Sequence, residues 1–103
     1  MRRLTLAAII REDNRTCLYT YAFRNCDGKS DEECVEELRK VAKDWLSEHG
    51  DELSRGEYRD FNWGDLWEKV DDDFLYRYGI TQYAGDPDDS PYPVDHDEIL
   101  SWQ

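Results

Sequence analysis

Three consecutive carboxylates, Asp71-Asp72-Asp73, are the first residues of this chain to invite a chemical reading. Clustered carboxylates can ligate hard divalent cations or share protons as acid and base. On a helix, however, successive side chains fan out by about 100° and do not converge on one ion. A second set, Asp86, Asp88, Ser90 and Asp97, imitates part of a calcium-loop spacing. That loop needs glycine at its sixth position and glutamate at its twelfth. The corresponding residues here are Pro91 and Asp97. The three cysteines (Cys17, Cys26, Cys34) and two histidines (His49, His96) show no metal-ligand spacing and no Cys-x-x-Cys pair. No G-x-S-x-G, phosphate-binding loop or H-E-x-x-H occurs. The sequence therefore leads us to expect no catalytic residue, no metal and no cofactor.

What remains is electrostatic. The 103 residues carry 25 Asp and Glu against 13 Lys and Arg, a formal net charge of -12. Residues 1–29 hold six basic and three acidic residues, a net +3, so residues 30–103 carry a net -15. Such a field repels nucleic acid and anionic membranes and attracts basic protein surfaces. The sequence thus points away from direct nucleic-acid binding and away from membranes, and towards a basic protein partner. Salt adaptation is the competing explanation, supported by four Lys against nine Arg and by 15 Asp. Segregation of the acid along the chain speaks against it, since adaptation to salt coats every surface.

The chain length suits one domain over 1–103, and 14% aromatic residues argue against wholesale disorder. The odd, sparse cysteine count reads as free thiols in a reducing cytoplasm, with a Cys26–Cys34 bridge the less favoured reading. The opening Met1–Ile10 has too short an apolar stretch for a signal peptide and reads better as a strand.

The elements that must position these groups follow from periodicity. Residues 3–11 alternate, with Leu4, Leu6, Ala8 and Ile10 on one face. Residues 16–24 place Cys17, Tyr19, Tyr21 and Phe23 together, so the two segments form an antiparallel hairpin. Ser30-Asp31-Glu32-Glu33 matches a capping box. It opens a helix over about 31–49, with Val35, Leu38, Val41, Ala42, Trp45 and Leu46 on one stripe and Gly50 as its stop. A second helix follows the capping residue Asn62 and runs to Gly79. It buries Trp63, Leu66, Trp67, Val70, Phe74 and Tyr78 and places Asp71–Asp73 near its end, where acids oppose the helix dipole. Residues 80–84 suit a short third strand, 85–93 a proline- and aspartate-rich loop, and 95–102 a last short helix capped by Asp95. The expected fold is α+β, with a small antiparallel sheet, two main helices and a short C-terminal helix in the order β-β-α-α-β-α.

On that frame the candidate partner-binding residues are the acids at helical spacing and the aromatics among them. They are Glu33, Glu36, Glu37, Asp44 and Glu48 on the first helix, Glu68, Asp71, Asp72, Asp73 and Tyr76 on the second, and Asp86, Asp88, Asp89 and Tyr92 in the loop. Tyr58, Phe61 and Tyr83 also sit off the apolar stripes, and aromatics ringed by polar groups are typical binding anchors. Carboxylates three or four residues apart on a helix lie about 5–6 Å apart, roughly following phosphate spacing.

In size, charge and lack of catalytic motifs the chain resembles small acidic anti-defence proteins of phages, such as anti-CRISPR and anti-restriction inhibitors, and nuclease immunity proteins. Asn62-Trp63-Gly64-Asp65-Leu66-Trp67 is similar to the acidic inhibitor helix of barstar-like proteins over those few residues. The resemblance implies a non-enzymatic inhibitor that binds a nuclease, CRISPR effector or other nucleic-acid-binding protein by mimicry in the host cytoplasm. The alternative is an interaction or regulatory module whose acidity serves solubility. Its contact surface would be the hairpin face of Thr5, Ala7 and Ile9.

Overall fold

The computed structural model describes residues 2–83 and 91–100. Strand β1 (Arg2–Ile10) and strand β2 (Arg15–Phe23) form the expected hairpin, in register from Arg2 opposite Phe23 to Ile10 opposite Arg15. Helix α1 (Asp31–Ser47) opens on the full capping box. The Ser30 side chain accepts from the Glu33 amide at 3.2 Å, and the Glu33 carboxylate accepts from the Ser30 amide at 3.2 Å. The Glu33 carboxylate also accepts from the Ser30 hydroxyl at 3.1 Å, and the two bonds it receives, from the Ser30 amide and hydroxyl, hold it below the usual carboxylate range. The core stripe of α1, from Cys34 to Leu46, is buried as its spacing predicts.

Gly50 does not stop α1. The helix ends with Glu48 in right-handed conformation, and Gly50 instead begins a short helix α2 (Gly50–Ser54) within 51–61, which lacks regular periodicity. The second long helix is two pieces, α3 (Trp63–Lys69) and α4 (Asp72–Tyr76). Val70 lies between them with extended backbone and is buried. A β-branched residue adopts that conformation readily, and it turns the Val70 side chain into the core. Asp71 then caps α4, accepting from the Phe74 amide at 2.8 Å.

Strand β3 (Ile80–Tyr83) pairs antiparallel with β2. The C-terminal helix is absent among the described residues. Tyr92–Asp95 instead form strand β4, parallel to β1, with Val94 opposite Ala8. The sheet is therefore mixed, in the order β3-β2-β1-β4, within an α+β fold. Tyr92 and Val94 alternate with Pro93, a residue tolerated on an edge strand because it has no amide to offer a further neighbour. Of the apolar residues expected on the lost helix, Leu100 is buried and Ile99 is exposed. Trp102 and residues 84–90 of the proline-rich segment lie outside the described residues.

The core is a single cluster joining one sheet face (Leu4, Leu6, Ala8, Tyr19, Tyr21, Phe23) to the helices. Phe61, which the stripes leave out, is core, stacked 5.2 Å from Trp45. On the opposite sheet face Thr5 and Thr20 are buried and their hydroxyls share a 2.9 Å hydrogen bond. That face is closed at its centre by Thr5 and Thr20 and is open towards its margins, where Ile9 is 36% and Tyr83 43% exposed.

Gly64 marks the tightest approach between α3 and the segment after β4. A Cβ there would lie 2.9 Å from Nε2 of His96. The imidazole cannot swing aside freely, since the same nitrogen shares a 3.1 Å hydrogen bond with the Tyr19 hydroxyl. Gly64→Ala should destabilise the domain by about 1–3 kcal/mol, the usual cost of overpacking. The added His96→Ala change should recover part of that loss in denaturant titrations. Independent, additive costs would contradict the steric account.

Candidate functional site

The fold divides the sequence-selected acids into groups that differ in how much of their charge faces solvent unopposed. On the first half of α1, Glu36 pairs with Arg39 at 2.6 Å and Glu37 with Lys29 at 3.6 Å, while Glu33 serves the capping box. On the second half, Asp44 accepts from the Tyr78 hydroxyl at 2.8 Å and Glu48 pairs with Arg77 at 3.0 Å. These bonds dock the end of α1 against the turn after α4. Burial, reinforced by the Asp44 carboxylate, pushes the Tyr78 phenol up to about 12.

Glu68, Asp72 and Asp73 form the second group. All three are exposed and make no ion pair among the described residues. Tyr76, one turn beyond Asp72, is 65% exposed. The Arg24 guanidinium sits 4.2 Å from its ring centroid, so a cation already rests on that aromatic face. This contact is invisible in the sequence because 52 positions separate the two residues.

Asp71–Asp73 carry a different local meaning from the one their spacing suggests. A single helix over 62–78 would set them against its dipole. The break at Val70 puts them at the start of α4, where Asp71 is the cap and acids suit the dipole. Asp71→Ala should therefore cost about 0.5–2 kcal/mol of stability in thermal or urea unfolding. Asp72→Asn, which leaves the cap in place, should stay within about 0.5 kcal/mol of wild type.

The acids of the C-terminal segment are used inside the molecule. Asp95 and Asp97 approach the Arg11 guanidinium at 3.3 and 3.7 Å. Glu98 accepts from Nε1 of Trp63 at 3.0 Å and pairs with Arg39 at 3.5 Å, and Arg39 in turn lies over the Trp63 ring. Tyr92 is half-buried against the core in β4. Asp86, Asp88 and Asp89 lie outside the described residues.

These pairs also fold away part of the charge asymmetry along the chain. Arg2 binds Asp31, Lys29 binds Glu37, and Arg11 binds Asp95 and Asp97. Basic residues of the first 29 positions meet acids of the remainder. The net charge is unchanged by pairing, so the unopposed carboxylates set the outward field.

Among the described residues no three His, Cys, Asp or Glu side chains are placed to hold a metal, and no helix is long and apolar enough to cross a membrane. His49 stacks 3.8 Å from Trp45 and donates from Nδ1 to the Trp45 carbonyl at 2.7 Å, a packing role at the end of α1. The arrangement at α3 and α4 can attract and hold cationic side chains. No protein-family model matches the sequence, and neither a curated protein nor a solved structure matches it.

Proposed function

We propose that this protein is an acidic, non-enzymatic inhibitor that binds a basic nucleic-acid-binding protein and occupies its nucleic-acid groove. The carrying observation is the exposed carboxylates Asp72 and Asp73, which share α4 with exposed Tyr76, together with exposed Glu68 on α3, none of them in an ion pair among the described residues, in a chain of net charge -12. Carboxylates so placed offer a basic groove the charge it was built to receive from phosphates, and Tyr76 supplies an aromatic anchor. Phage anti-defence, directed at a CRISPR effector or a restriction enzyme, is the biological setting that fits such a surface, as is immunity to a nuclease.

The test is inhibition of purified CRISPR effectors, restriction enzymes and basic nucleases, followed by affinity against salt for any enzyme inhibited. Mimicry expects steep weakening with added salt and displacement of the protein by a short DNA duplex. Inhibition that is flat in salt and indifferent to duplex would overturn it in favour of an apolar contact. No inhibition across the panel would remove the reading for these enzyme classes.

A further inference from the structure

Two aromatic rings of α4 each carry an arginine of this chain, and the two contacts differ in what else secures them. Arg77 lies over the buried Phe74 ring at 4.7 Å and is also held by Glu48 at 3.0 Å. Arg24 lies over the exposed Tyr76 ring at 4.2 Å, and its guanidinium has no carboxylate partner among the described residues. The backbone sets where Arg24 stands. Gly79, at a left-handed φ of 72°, turns the chain after α4 so that its carbonyl accepts from the Arg24 amide at 2.9 Å. A Cβ on Gly79 would lie 2.7 Å from Nδ2 of Asn25 and 3.7 Å from Cβ of Arg24, so this turn sits directly on the residues that follow β2. The Arg24 side chain itself is exposed. In a chain with 25 acidic residues, this arginine rests on a ring and not on a carboxylate. Asp72 and Asp73, four and three positions before Tyr76, flank the same side of α4 and are exposed.

We propose, on the reading of α4 as part of the contact surface, that Tyr76 is a guanidinium-selective anchor, that Arg24 occupies it in the free protein, and that an arginine side chain of the basic partner takes that place on binding. A guanidinium is planar and weakly hydrated, so it stacks on an aromatic ring while its fork of donors stays free at the edge. Asp72 and Asp73 are the carboxylates that such a fork would meet. An ammonium is compact and strongly hydrated, and gives up more hydration on the same ring. Arg24 opposes an incoming arginine in two ways, by covering the ring and by repelling a second cation. Its departure breaks no ion pair among the described residues, whereas Arg77 would have to leave Glu48. Removing Arg24 should therefore strengthen binding, the reverse of what removing a contact residue does.

The probes are nona-arginine and nona-lysine peptides, titrated at low salt against the full-length protein and followed by calorimetry. Arg24→Gln is compared with Arg15→Gln, which removes the same charge at the opposite end of β2. Arg24→Gln should bind nona-arginine roughly three- to tenfold more tightly than Arg15→Gln does, with a smaller gain for nona-lysine. Tyr76→Ala, at an exposed position outside the core, should reduce the preference of the wild type for arginine over lysine and cancel the extra gain in the double variant. Equal affinities of Arg24→Gln and Arg15→Gln for nona-arginine would overturn Arg24 as the occupant, and with wild-type binding retained would leave the acidic surface standing. An equal gain for both peptides, or an arginine preference unmoved by Tyr76→Ala, would overturn guanidinium selection. Failure of every form to bind either peptide would overturn the proposal outright. The expected pattern in a protein that inhibits no nucleic-acid enzyme would support the anchor and count against the inhibitor reading alone.

Discussion

Trp63→Ala should unfold most of the domain's stability in one step. The side chain is fully buried, at 0% exposure, and is the largest of the fully buried residues. Removing a buried tryptophan costs about 3–5 kcal/mol, against a total of about 5–15 kcal/mol for a domain of ordinary stability. The loss has a polar component as well. The indole donates to Glu98, which also faces Arg39, and Arg39 lies over the ring. Without Trp63 the half-buried Glu98 and Arg39 lose the surface that holds them together. Guanidinium titration of the variant should show a midpoint far below wild type. Trp67→Ala is the comparison: Trp67 is half-buried against Tyr19 and Tyr21 and should cost less. Equal effects would mean that burial does not set the ranking.

The second large effect concerns binding. Glu68→Lys, Asp72→Lys and Asp73→Lys together reverse three charges of the proposed surface and move the net charge from -12 to -6. Like charges then meet across the interface, which costs several kcal/mol. Affinity for the inhibited enzyme at low salt should fall by roughly a hundredfold, equivalent to about 2.7 kcal/mol. The residual binding should also depend less steeply on salt. Lysines in the first turn of α4 oppose its dipole by about 0.3–1 kcal/mol each, so the melting temperature must be read alongside. The neutral set Glu68→Gln, Asp72→Asn, Asp73→Asn separates the two effects, since it removes charge and leaves Asp71 to cap the helix. A folded triple-lysine variant that binds like wild type would exclude this surface.

The hairpin and α1 were legible in the sequence because local rules govern them. Alternation from Leu4 to Ile10 and from Cys17 to Phe23 fixed two strands to within a residue at each end, and Ser30 with Glu33 fixed the start of α1. The split between α3 and α4 was masked by an apolar stripe that continues through it, since Val70 is buried on either description. Asp71 could have signalled the break, being a strong capping residue followed three positions later by Phe74. Strand β4 was hidden by Pro93 and by brevity, and its pairing with β1 rests on contacts some 86 positions apart. The candidate surface was legible as charge and illegible as accessibility. Periodicity placed Glu36 and Glu37 outward but could not show Arg39 and Lys29 beside them, nor that Glu98 would turn inward to Trp63.

The parallel pairing of β1 with β4 has a consequence for synthesis on the ribosome. Strand β1 is completed late, because Leu6 through Ile9 find their second neighbour only when Tyr92 through Asp95, 86 positions further on, have emerged. Until then the nascent chain offers an unpaired strand edge carrying Leu6, Ala8 and Ile9, the kind of edge that recruits other unfinished chains. Shortening the chain before Tyr92 would make that exposure permanent.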